Sequence, residues 1–192
     1  MTERPIAVYG GSFDPPHIAH TMVAAYILGT IPVDRILVVP TFTHPLEKVG
    51  AVPFAQRFRM CELAFGAFPQ CEVSDIEREL GGKGRTLDTL EALAQLRPDA
   101  SFRLVIGADI LTELDRWHRW DRIAELAPPL VVGRAGYEGA PGVELPQVSS
   151  TEIRRRLTAG ESTEGLLPWR VAEFIVEHRL YHEGDAPEEA NR

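Results

Sequence analysis

Short apolar runs alternate with longer stretches of helical spacing along most of this chain. The runs fall at residues 6–9, 35–39, 71–74, 102–106 and 130–132, each the length of a strand. Two of them, Ile36-Leu37-Val38-Val39 and Leu104-Val105-Ile106, have no polar position to turn toward water. Such strands are buried on both faces, as in a parallel sheet covered by helices. Helical spacing fills the gaps at about 16–28, 53–68 and 87–96. This alternation predicts an α/β fold built on a doubly wound parallel sheet. Past residue 148 the pattern changes. Ser149 is a good N-cap, Glu152 completes a capping box, and a helix runs to about Thr158. Pro168 then opens a last helix, apolar at Val171, Phe174 and Ile175. These pieces predict a small C-terminal helical appendage closing over the sheet edge.

Ligands of such folds sit beyond the carboxyl ends of the strands. The first of those ends is Gly10-Gly11-Ser12-Phe13-Asp14-Pro15-Pro16-His17-Ile18-Ala19-His20. Two glycines let the backbone turn sharply and approach a ligand. Prolines suit the entry to a helix, whose free N–H groups attract an anion. His17 and His20 are three apart, which places them on one face of the first helical turn. Two imidazoles beside free N–H groups suit a polyphosphate whose charge shifts during reaction. A plain strand-to-helix turn, or a weak metal site of Asp14, His17 and His20, are the competing readings.

A second candidate lies near the other end. Ser149, Ser150 and Thr151 open a helix, and Arg154 follows within one turn. Hydroxyls, free N–H groups and a guanidinium can converge there on one anion. Helix capping alone also accounts for these residues. Gly107-Ala108-Asp109 follows a buried strand, where a glycine admits a flat base and a carboxylate can accept from ribose. Asp109 is equally a helix N-cap. Trp117-His118-Arg119-Trp120 sets two aromatics beside cations, and such rings stack on a flat cation. Core packing is the simpler reading of Trp120.

The two phosphate candidates also carry a resemblance. Gly11, Phe13, Pro15, His17 and His20 resemble the G-x-F-x-P-x-H-x-x-H signature of the nucleotidyltransferase superfamily of adenylyl- and cytidylyltransferases. Val148-Ser149-Ser150-Thr151-Glu152-Ile153-Arg154 resembles its I-S-S-T-x-I-R signature, in the expected order. From about Ile6 to Tyr181 the chain is most similar to the bacterial nicotinate-nucleotide adenylyltransferase family. The resemblance implies a Rossmann-like nucleotidyltransferase fold, with residues 1–182 as one domain. It implies adenylyl transfer from ATP to nicotinate mononucleotide, giving deamido-NAD and pyrophosphate. Another phosphate-ester acceptor, such as nicotinamide mononucleotide or phosphopantetheine, stays open, as does a nucleotide-binding regulator without turnover.

The same resemblance distributes roles. His17, His20 and Arg154 become catalytic, with Arg154 on the β- and γ-phosphates. Gly10, Gly11, Ser12 and Phe13 supply close backbone to ATP. Gly107 and Asp109 meet adenosine; Ser149, Ser150 and Thr151 meet phosphate. Trp117 matches the position that stacks on the nicotinate ring. Its usual partner is a tyrosine, and here it is His118. Thr86 matches a threonine on the carboxylate side of the pyridine; capping of the next helix is its other reading. His44 and Lys48 lie in a loop similar to the family's P-P-H-K segment, with altered spacing and order. Arg134 belongs to a loop resembling R-P-G-[YF], where it would touch ATP phosphates.

Composition narrows the partners. Among 192 residues, 44% are hydrophobic and 25% charged, ordinary for a globular protein with a real core. A net charge of −8 argues against coating nucleic acid. Small-molecule nucleotides remain compatible, with Mg²⁺ carried in by ATP and no resident metal expected. No apolar run is long enough to span a membrane, and the first residues lack a signal-peptide core. A cytoplasmic location is therefore expected, and a homo-oligomer stays open. Cys61 and Cys71 read as buried reduced thiols. The polar, acidic tail at 183–192 is expected to be disordered.

Overall fold

Five parallel strands lie in the order β3-β2-β1-β4-β5. They are β1 (Ile6–Gly11), β2 (Arg35–Pro40), β3 (Cys71–Val73), β4 (Phe102–Gly107) and β5 (Pro129–Val132). The structure is a computed structural model and describes residues 4–42, 52–81, 85–133 and 145–182. Each strand coincides with one of the apolar runs. β1 pairs with β2 and with β4 on its other edge, so the strand order reverses there. That reversal opens a crevice between the ends of β1 and β4, the usual ligand position.

The pleat sorts alternate residues into two cores. Ala7, Tyr9, Ile36, Val38, Val105 and Val132 face one side. Ile6, Val8, Leu37, Val39, Leu104 and Ile106 face the other. On the first side pack α1 (Ile18–Thr30), α2 (Phe54–Phe65), α6 (Ser150–Thr158) and α7 (Trp169–Glu177). On the second lie α3 (Ile76–Leu80), α4 (Thr86–Leu96), a 3-10 helix (Ala108–Arg116) and α5 (Trp120–Leu126). Both faces are thus covered, as apolar central strands require.

The C-terminal helices do more than close over an edge. Ile153 and Val171 are fully buried and Ile175 nearly so, in the same core as α1 and α2. Each such side chain contributes roughly 1.5–3 kcal/mol by leaving water. Several local readings also change. α1 begins at Ile18, with His17 extended as its N-cap, because the His20 ring accepts the His17 N–H at 3.0 Å. Arg85, not Thr86, caps α4, and Gly107, not Asp109, caps the 3-10 helix. Ser149 does cap α6, accepting from the Glu152 N–H at 3.2 Å. The reciprocal half of that box is diverted, since the Glu152 carboxylate pairs with Arg155 and Arg156. α2 stops at Phe65, short of the expected 68, where Gly66 follows. The short helices α3 and α5 lacked enough turns to show a period.

Cys61 is buried in α2, whereas Cys71 is only half-buried at the start of β3. Burial pushes the Cys71 thiol up to about 11, so it is poorly nucleophilic at neutral pH. Among the described residues no helix is long and apolar enough to cross a membrane.

Candidate active site

Two cavities meet at the crevice. The smaller, about 350 Å³, lies between the β1 turn and the start of α6. Ser12, His17, His20, Asp109 and Ser149-Ser150-Thr151 are among its walls. The larger, about 1200 Å³, lies over α4 and the 3-10 helix. Thr86, Trp117 and His118 line it, with Gly11 at its inner end. Tyr9, Gly10, Ile106, Gly107 and Ile110 border both. So the residues expected to meet ATP and those expected to meet the acceptor fall largely into two adjoining compartments. Their common wall is the pair of glycine-bearing strand ends. A Cβ on Gly107 would meet the Asp109 carboxylate, which would have to shift.

The two histidine rings are stacked, with centroids 3.7 Å apart and planes 23° from parallel. His17 is buried and His20 half-buried. Phe13 is folded beneath them, edge-on to His20 at 4.9 Å and to Tyr9 at 5.4 Å. Its backbone has φ 46, in the left-handed region that a bulky residue rarely enters. Strain of this kind persists where the surroundings enforce it, and functional turns are the common setting. The Phe13 side chain therefore supports the turn from the core.

Pro15 and Pro16 have no N–H, and the Asp14–Pro15 bond is cis. Side chains from distant elements hold the carbonyls of the turn. Arg57 of α2 donates to Ser12 O at 2.8 Å. Arg154 of α6 donates to Asp14 O at 2.6 Å, and Ser150 to Pro15 O at 3.0 Å. The Asp14 carboxylate, 2% exposed, accepts from the Tyr181 phenol at 2.6 Å and lies 3.7 Å from Arg154. Arg57 also donates to Val52 O and Phe42 O, tying three chain segments together. Burial lowers its guanidinium from the ordinary arginine value, with the Asp14 charge opposing that.

Arg154 thus sits behind the turn and touches the Thr151 hydroxyl at 3.4 Å, and it does not line either cavity. Trp117 is half-buried and edge-on to Trp120, centroids 5.8 Å apart, and Trp120 packs on the second core. His118 is exposed on the cavity rim. His44, Lys48 and Arg134 lie outside the described residues, as does the tail at 183–192. Among the described residues no three His, Cys, Asp or Glu side chains group to hold a metal ion. In the competing metal reading of Asp14, His17 and His20, the Asp14 carboxylate is already engaged by Tyr181 and Arg154.

Sequence reasoning missed Arg57, Tyr181 and Glu77. Arg57 had a signal: it shares the buried face of α2 with Met60, Cys61 and Ala64. An arginine in a core-facing position implies a fixed partner. Glu77 lies in the wall of the larger cavity, accepting from the Phe42 N–H at 2.9 Å and the Thr89 hydroxyl at 3.3 Å. Tyr181 had no local signal, since its partner is 167 residues away.

Comparison with known proteins places the chain in a family. The cytidylyltransferase-like family model matches residues 8–156. A protein of Anaeromyxobacter dehalogenans strain 2CP-C, named a probable nicotinate-nucleotide adenylyltransferase, is 48% identical over 182 residues. That match covers 93% of this chain and 97% of the relative. One of the same name from Myxococcus xanthus is 42% identical, covering 92% and 94%. Among solved structures, Plasmodium falciparum nicotinic acid mononucleotide adenylyltransferase complexed with NaAD superposes with a TM-score of 0.77. It is 21% identical, and 93% of this chain and 98% of that one are covered, which establishes a shared fold.

Proposed function

The chain belongs to the cytidylyltransferase-like family, among the nicotinate-nucleotide adenylyltransferases, and from this and the paired cavities we infer how it works. It transfers the adenylyl group of ATP to nicotinate mononucleotide, a step of NAD synthesis that releases pyrophosphate. The observation that carries the site reading is the junction of two cavities at Gly10 and Gly107. Such an arrangement seats two nucleotides with their phosphates adjacent.

In this reading ATP occupies the smaller cavity and enters with its Mg²⁺ as one substrate. Gly107 and Asp109 meet its adenosine, and Ser149, Ser150 and Thr151 its phosphates. The mononucleotide occupies the larger cavity, its pyridine on Trp117 and its carboxylate toward Thr86. A phosphate oxygen of the mononucleotide attacks the α-phosphorus in line. That P–O bond forms as the bond to pyrophosphate breaks, with no covalent intermediate on the protein. His17 and His20 hold the α- and bridging oxygens as charge moves onto the leaving group. Arg154, behind the turn, holds the Thr151 hydroxyl that meets the departing pyrophosphate. Positioning and charge stabilisation supply the rate enhancement. The enzyme works in the cytoplasm, beside its ATP supply.

Pyrophosphate release with ATP and a panel of acceptors tests this. Nicotinate mononucleotide should exceed nicotinamide mononucleotide and phosphopantetheine in kcat/KM. A higher value for either competitor reassigns the acceptor, and no release with any of them removes the catalytic reading.

A further inference from the structure

We propose that Tyr181 is a positioning residue for this reaction: its phenol fixes Asp14, and through Asp14 the turn that carries His17. The proposal rests on the adenylyl-transfer reading above, and its structural part can be judged separately.

Four contacts tie the C-terminal segment to that turn. They are Ser150 to Pro15 O, Arg154 to Asp14 O, the Ile18 N–H to Leu166 O at 2.9 Å, and Tyr181 to the Asp14 carboxylate at 2.6 Å. The last spans the greatest sequence distance and is the hydrogen bond among them that reaches a side chain of the turn, with the Arg154 guanidinium 3.7 Å from the same carboxylate. Tyr181 is itself held hard. Its backbone is left-handed at φ 64, a conformation kept only where the surroundings enforce it. The Thr158 hydroxyl donates to its carbonyl at 3.1 Å. Leu180 just before it donates back to Ile175 O at 3.0 Å, closing the end of α7. The ring is 5% exposed within the first core.

The effect of losing the phenol follows from what remains. The Asp14 carboxylate would keep the Val52 N–H at 3.5 Å and the Arg154 guanidinium at 3.7 Å. A buried carboxylate short of donors draws in the nearest cation. Arg154 would move toward the carboxylate and away from Asp14 O and Thr151. Both walls of the smaller cavity shift together, the histidine turn and the start of α6. The larger cavity shares no side chain with this chain of contacts, so acceptor binding is spared. The signature is a loss in kcat with acceptor KM unchanged.

Tyr181→Phe keeps the ring and removes only the hydroxyl. It should lower kcat about tenfold or more, since sub-ångström misplacement of groups at a reacting phosphate is costly. The KM for nicotinate mononucleotide should stay within about twofold of wild type. Asp14→Asn and the double variant complete a cycle, in which the two losses should overlap rather than multiply. Amide hydrogen exchange provides a readout independent of turnover. In Tyr181→Phe, exchange across residues 12–20 should rise about tenfold while β4 is unchanged. A kcat within twofold of wild type, losses that multiply, or unchanged exchange at 12–20 each overturns the proposal. If wild type itself does not release pyrophosphate from ATP and nicotinate mononucleotide, the assigned reaction fails, and the exchange result alone decides whether Tyr181 holds the turn.

Discussion

Asp14 and Glu77 are two carboxylates on opposite sides of the crevice, and their surroundings differ. Asp14 lies behind the turn that walls the smaller cavity. It meets the Tyr181 phenol, the Val52 N–H and the Arg154 guanidinium, all brought from distant parts of the chain. Glu77 lies half-buried in the wall of the larger cavity, where its donors are the neutral Phe42 N–H and Thr89 hydroxyl. The contrast extends to the walls themselves. The smaller cavity is cross-braced by long-range bonds from Arg57, Ser150 and Arg154. Around the 3-10 helix of the larger one the bonds are local, Thr112 to Asp109 O and Arg116 to Glu113. Groups that stabilise a transition state must be held before the reaction, whereas a flat ring can be recognised by stacking and a few donors.

Breaking the braced side should therefore cost most in turnover. His17→Ala and His20→Ala should each lower kcat by about 10²-fold or more, read by pyrophosphate release. His20→Ala should also cost about 1 kcal/mol of stability, because its ring caps the His17 N–H. Near-normal kcat in both variants, with a native circular dichroism spectrum, would place the chemistry elsewhere. Arg154→Ala comes next, at roughly 10- to 100-fold in kcat/KM for ATP. Arg154→Lys should not restore it, since an ammonium cannot hold Asp14 O and Thr151 together as a planar fork does. Full recovery in the lysine variant would reduce Arg154 to a point charge.

The cross-bracing of the smaller cavity was only partly legible in the chain. The strands were, because Ile36–Val39 and Leu104–Ile106 leave no polar face and so specify a buried parallel sheet. The strand-end loops then put Gly10, Gly107 and Ser149–Thr151 near one another by topology alone. What stayed hidden was long-range pairing. Nothing near Tyr181 announces Asp14, and nothing near Arg154 announces its bond to Asp14 O. The start of α1 moved to Ile18, where the His20 ring caps the His17 N–H, and at α6 the Ser149 cap held while the Glu152 half of its box went to Arg155 and Arg156.

The larger cavity offers a sharper test of recognition. Trp117→Ala should raise KM about tenfold for the nicotinate and nicotinamide mononucleotides alike, since stacking ignores the substituent. Thr86→Val removes a hydroxyl at nearly constant volume. It should lower the preference for the acid over the amide about tenfold, with kcat for the acid little changed. The ratio of kcat/KM for the two acceptors measures this. An unchanged ratio in Thr86→Val would pass the discrimination to backbone donors near Trp117 and His118.

The smallest effect concerns Glu77 and is one of stability. Burial is the largest influence on its carboxyl and raises it above the usual range, against the lowering by the Phe42 N–H, Thr89 and the Arg57 charge. The native state therefore binds this proton more tightly than the unfolded chain does. Below the unfolded value the group is protonated in both states and its contribution is fully present. As pH rises through the folded value, the unfolded chain gains more from ionising, and that contribution is lost. At pH 7 the ionised carboxylate is then a liability to the fold. Glu77→Gln keeps an oxygen for the Phe42 N–H and cannot ionise. Its Tm should exceed that of wild type by about 2 °C at pH 7, and the gap should close as pH falls toward about 4. A wild-type protein that is the more stable at pH 7, with an advantage that grows with pH, would mean that the two neutral donors outweigh burial. The Phe42 N–H and Thr89 would then hold the Glu77 carboxylate as an ion, and burial would not decide its charge.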